Sequence, residues 1–146
     1  MQWSHTNPDL LSFAGGPDRI WVVDVRDGSV RCPYPQWPGE LVTHESWWVD
    51  DTILFCGGLN PKPTEDAHLK QLNIYTGEVR IVGAGSWWPE ATPFQVSRHN
   101  WWHSSGSDDG HWAAADNWHG DIMLFGGHTT RNRLLASGHR TYGEGD

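Results

Sequence analysis

Thr43-His44-Glu45 is the segment with the most direct chemical content in this chain. An imidazole titrates near neutrality, so His44 can take or give a proton under ordinary conditions. Arg19 stands just ahead of Ile20-Trp21-Val22-Val23-Asp24-Val25. Its planar guanidinium can grip a carboxylate at two points, which an ammonium cannot. His99 and His103 follow Arg98, and Lys62 and His119 occupy glycine-containing connections. Composition alone offers a plainer role for each: His44 as a hydrogen-bonding residue between sheets, Arg19 as a solvated cap. The spacing of four between His99 and His103 is a metal-binding spacing on a helix, not on a strand.

The elements that must position these residues read as short strands. His44 opens the run Leu41 to Trp48, which Val49-Asp50-Asp51 turns back into Thr52-Ile53-Leu54-Phe55. A similar arrangement returns as His99-Asn100-Trp101-Trp102-His103, a polar turn at Ser107-Asp108-Asp109-Gly110, and His111-Trp112-Ala113. A fainter copy opens the chain, with Trp3-Ser4-His5, Asn7-Pro8-Asp9 and Leu10-Leu11-Ser12-Phe13. Asp27-Gly28 and Thr76-Gly77 mark hairpin turns at matching places in successive copies. No stretch of ten residues keeps a 3.6-residue apolar period, so helix is not expected.

A four-strand unit recurring at about fifty residues is the pattern of propeller blades. The expected fold is all-β, an incomplete propeller of three four-stranded antiparallel blades over residues 1–36, 37–84 and 85–140. Residues 141–146 would begin a further blade. Propellers close with about four to eight blades, so the chain reads as a piece of a longer protein, needing the rest of the ring, and without it inactive as an enzyme and prone to aggregate. Up-and-down connectivity then gathers Arg19, His44, Lys62, His99 and His119 at one end of the axis. Each adjacent pair (Trp47-Trp48, Trp87-Trp88, Trp101-Trp102) should give one indole to packing, because neighbouring strand residues face opposite ways.

The composition excludes several classes of function. A length of 146 residues fits one domain, and 11 Trp supply large buried area although hydrophobic content is 37%. A net charge of -8 argues against nucleic acid as a partner. No apolar run approaches membrane-spanning length, and Met1-Gln2-Trp3 does not begin a signal peptide. Cys32 and Cys56 read as two buried free thiols, which suits a reducing, cytoplasmic setting. Nothing matches a nucleophile elbow, a phosphate loop or a cysteine-based zinc site.

The segment Trp3 to Trp21, with Asn7-Pro8-Asp9, Phe13-Ala14 and Asp18-Arg19-Ile20-Trp21, resembles one blade of the oligogalacturonate lyases. These are pectin-degrading polysaccharide lyases built on a seven-bladed propeller. Thr43-His44-Glu45, with Trp47 and the Asp50-Asp51 turn, resembles their segment carrying the catalytic His. Arg19 falls where that family has its active-site Arg. Arg98-His99, followed by Asp109-Gly110, resembles the segment giving the first metal-ligand His. The resemblance therefore implies β-elimination of short galacturonides, with His44 as base, Arg19 as carboxylate partner and His99 as ligand to a divalent metal, most often manganese. The family's other ligands are a Gln and a His-Pro-His pair. Glu144 lies about where the Gln is expected, and the chain ends where the pair is expected. His99 also lies farther from His44 than in the family, consistent with an inserted Trp87-Trp88-Pro89 loop. The alternative is a non-catalytic propeller of the TolB-like kind, binding protein or glycan.

Overall fold

The computed structural model describes residues 1–58, 67–82, 101–117, 120–128 and 132–137. Lys62, Trp87, Trp88, His99, His119 and Glu144 lie outside the described residues. Twelve strands form three four-stranded antiparallel sheets, each following sequence order from one edge to the other. The first holds β1 (Gln2–Trp3), β2 (Leu10–Phe13), β3 (Trp21–Asp24) and β4 (Ser29–Arg31). The second holds β5 (Leu41–Trp47), β6 (Thr52–Gly58), β7 (His68–Asn73) and β8 (Val79–Ile81). The third holds β9 (Ser104–Gly106), β10 (Trp112–Asp116), β11 (Ile122–Gly126) and β12 (Asn132–Ala136). These are three blades of an incomplete β-propeller, and β3 and β7 belong to different sheets as that reading requires. No helix among the described residues is long and apolar enough to cross a membrane.

Burial along the second strand of each blade shows how the blades stack. β6 is buried at every position, whereas β2 and β10 alternate between buried and half-buried residues. A strand covered on both faces must be apolar throughout, and Ile53-Leu54-Phe55-Cys56 meets that demand. Ile53 and Phe55 join Leu10, Ile20, Val22 and Trp47 in a core between the first two blades. Leu54 and Cys56 join Trp48, Trp101, Ala113 and Phe125 in a second core, between the second and third blades. Each such side chain contributes about 1.5–3 kcal/mol on full burial. The alanines of β10 leave room for indoles, and Trp101 meets Phe125 edge-on at 5.1 Å between centroids.

Turns set the register. Gly28 and Gly77 each have a φ near +70°, and each amide closes the turn onto the carbonyl four residues back, on Asp24 and on Asn73. Only glycine takes that conformation without a Cβ penalty. Asp50 and Asp51 also have positive φ, and Thr52 N donates to Val49 O at 3.1 Å. This is the two-residue hairpin whose backbone twist suits flanking strands. The Asp51 carboxylate accepts hydrogen bonds from Thr6 Oγ1 (2.9 Å), Asn7 Nδ2 (3.3 Å) and Tyr75 OH (2.7 Å). One turn thus ties the first blade to the second.

Three sequence expectations change. The first strand of the third blade is β9, beyond the expected His99–His103 stretch, and His103 lies just before it. The polar ladder through Asp116 explains the offset: Trp102 N donates to Asp116 O, and Asp116 N donates to His103 O. Cys56 is buried, and burial pushes its thiol up to about 12, but Cys32 is only half-buried. Trp47 and Trp48 are both packing residues, facing the first and third blades respectively.

Candidate functional site

His44 lies in the middle of β5, not at its entry as the sequence suggested. The β5–β6 register slips between Thr43, opposite Cys56, and Ser46, opposite Leu54. His44 and Glu45 together therefore face the single residue Phe55, which is a β-bulge. His44 carries the bulge with φ of 55°, in the left-handed region. That conformation costs an L-residue on the order of 1–2 kcal/mol. Bulges of this kind re-aim side chains, and strain of this kind gathers at functional sites.

The bulge sends the two side chains to different neighbours. Glu45 takes Arg19 of the first blade side-on, with Nε donating to Oε1 at 2.8 Å and Nη2 donating to Oε2 at 3.2 Å. The Arg19 side chain is 45% exposed and that of Glu45 only 14%, so the carboxylate anchors and the guanidinium reaches outward. The backbone around Arg19 is clamped as well. Arg19 N donates to Gln36 Oε1 at 2.6 Å, and Gln36 N donates to Asp18 Oδ1 at 2.7 Å. The hydrogen bonds from Arg19 to Glu45 raise the guanidinium's already high pKa against the opposing effect of partial burial.

His44 turns toward the third blade. Its ring centroid is 4.2 Å from that of His103 and 5.3 Å from that of Trp102. His103 Nδ1 lies 2.9 and 3.0 Å from the two Asp116 oxygens, and His103 N donates to Asp116 Oδ1 at 2.9 Å. That contact leaves Nε2 as the free ring nitrogen. Partial burial, then the nearby His103 charge, lower the His44 pKa, while Glu45 and Asp116 oppose the shift. His44 is thereby biased to the neutral form, which is the form a base needs.

Arg19 is held by Glu45, the residue next to His44, while the His44 ring itself packs against His103 and Trp102. His99, Lys62 and His119 lie outside the described residues. Sequence reasoning did not assign roles to Glu45, His103 or Asp116. The acidic residue after His44 was visible, but the bulge that gives it to Arg19 depends on pairing with β6. In the sequence His103 stands out only by its spacing from His99, which on a strand makes no metal pair, whereas its neighbours come from β5 and β10.

Imidazole held through Nδ1 by a carboxylate is the usual posture of a metal-ligating His. Among the described residues, however, no three His, Cys, Asp or Glu come together as a group that could hold a metal ion. They do not by themselves fit a divalent cation, and no chemical step is assigned to one here. A cavity of about 360 Å³ is lined by His5, Thr6, Trp47, Trp48, Val49, Gly106 and Asp108. It sits by the turns that follow the first strand of each blade, at the opposite end from the clamped Asp18-Arg19 segment. A smaller one, about 80 Å³, is lined by Arg19, Glu45, Ala14 and Phe13 among others, and His44 is not part of its lining. Its chemistry, rather than its size, makes it the candidate site.

No family model matches the chain, and no curated protein does. Among solved structures, an oligogalacturonate lyase in complex with manganese is similar, with a TM-score of 0.59 and 18% identity. The match covers 92% of this chain and 32% of that one, so the chain spans about a third of the neighbour's length. At that identity the likeness speaks for the fold.

Proposed function

We propose that these three blades carry the proton-abstracting half of a uronide lyase, acting on short galacturonides by β-elimination. The observation that supports this most is the single bulge at His44-Glu45. Within two adjacent residues it turns a half-buried imidazole toward the third blade and holds one edge of a guanidinium of the first. Fold likeness to an oligogalacturonate lyase raises the prior for that chemistry.

In this reading the uronate carboxylate meets Arg19, which draws off charge as the alpha proton leaves. Neutral His44 accepts that proton, the neighbouring C–O bond breaks, and the departing oxygen takes a proton from water. The product carries a new C=C bond conjugated with its carboxylate. A net charge of -8 repels long polyanions, so a short oligomer suits this site better than polymer. A divalent metal, manganese by the resemblance, would need donors from beyond the described residues.

The test is ultraviolet absorbance of the unsaturated uronate released from digalacturonate. A protein that carries these blades in a closed ring should generate the signal, and its Arg19→Lys variant should lose most of it, because an ammonium cannot grip a carboxylate at two points. Such a closed ring that leaves digalacturonate intact, with and without added manganese, would end the proposal.

A further inference from the structure

Arg19 offers five N–H donors in a rigid plane. Two of them, on Nε and Nη2, point at Glu45, at 2.8 and 3.2 Å. The side edge of the guanidinium is therefore occupied. Still uncommitted to Glu45 is the end edge, where Nη1 and the second hydrogen of Nη2 lie parallel. That edge has the spacing of a carboxylate's two oxygens. The anchor is the less exposed partner: the Glu45 side chain is 14% exposed against 45% for Arg19. The Glu45 backbone belongs to the bulge that also holds His44, so the carboxylate starts from a position set by strand pairing.

We propose that Glu45 is a positioning residue that holds the side edge of Arg19 so that its end edge receives the uronate carboxylate. This deepens, and rests on, the uronate reading of the site. The role is geometric as well as electrostatic. By itself the negative charge of Glu45 weakens the pull of Arg19 on an anion. What the carboxylate contributes is aim, and a displacement of about 1 Å in such a group can cost on the order of 10²-fold in rate.

Two substitutions separate aim from charge. Glu45→Asp keeps the charge but withdraws the carboxylate by one methylene. Glu45→Gln keeps the length but loses the charge and one of the two acceptors. The readout is the Arg19 Nε–Hε NMR signal of the full chain during titration with galacturonate, with turnover of digalacturonate measured alongside.

In the wild type the Arg19 signal should be protected from exchange and should move on adding galacturonate. In both variants the protection should be lost and the galacturonate-induced shift should fall severalfold. In an active protein, kcat should drop at least tenfold while KM changes far less, because binding by charge survives and alignment does not. Galacturonate leaving wild-type Arg19 unmoved would overturn the inference. So would a Glu45→Asp protein that matches the wild type in both Arg19 signal and kcat. Failure of the lyase reading is seen separately, as absent turnover in a wild type whose Arg19 still responds to galacturonate.

Discussion

His44 combines two features that packing alone does not call for, a left-handed backbone and an imidazole whose pKa is lowered by partial burial and by His103. Strain can be measured apart from chemistry. His44→Gly should be more stable than His44→Ala by about 1 kcal/mol in urea melts, since glycine alone relaxes at positive φ. Both should lose most turnover, by about 10² to 10⁴ as is typical for removing a general base. The lowered pKa also has a sign that can be checked. The unfolded chain binds a proton at His44 more readily than the folded one, so this group's contribution to stability is complete above about 6.5 and is lost as pH falls below it. Urea midpoints should decline on acidification through that window, and the decline should be shallower in His44→Ala. The acid limb of the kcat/KM profile should likewise lie below the ordinary histidine range, and a limb at or above that range would contradict the assignment.

At the scale of elements, the hairpin turns were legible because their chemistry is local. Asp27-Gly28, Thr76-Gly77 and Asp50-Asp51 announce tight turns with residues that tolerate positive φ. The bulge at His44 was not legible, because it depends on which residue of β6 each residue of β5 meets. The displacement of β9 was hidden for the same reason, since Asp116 on β10 captures the backbone at Trp102 and His103. The Asp50-Asp51 turn offers a test of local against long-range effects. Backbone preference favours glycine at either position. Asp50 is exposed, so Asp50→Gly should leave stability unchanged or slightly raised. Asp51→Gly should lose about 1–2 kcal/mol despite the easier backbone, because three hydrogen bonds from Thr6, Asn7 and Tyr75 go with it. Equal urea midpoints for the two variants would show that this clasp does not join the blades. A comparable test applies between the second and third blades. Trp48 Nε1 donates to Ser107 O at 2.8 Å, and the indole lies against Gly106 with no space for a Cβ. Gly106→Ala should therefore cost about 1–3 kcal/mol through overpacking.

For the whole molecule, the fifty-residue repeat was legible in the sequence, whereas the blade that lies between the others is marked by burial. Ile53-Leu54-Phe55-Cys56 is apolar on both faces, whereas the matching strands before and after it alternate. A blade with neighbours on both sides demands the former, and the repeat of about fifty residues gave the order. Propeller stacking then brings Arg19 of one blade to Glu45 and His44 of the next, and His44 to His103 of the third. The site exists only between blades, which is why no single segment of sequence displays it. Its central claim concerns the kind of bond cleavage, and the masses of the products decide that directly. Mass spectrometry of digalacturonate after incubation with the protein should show a saturated and an unsaturated galacturonate whose masses sum to that of the substrate, in proportion to functional His44. Products whose masses sum to substrate plus one water, or products formed equally by His44→Ala, would contradict elimination with His44 as its base.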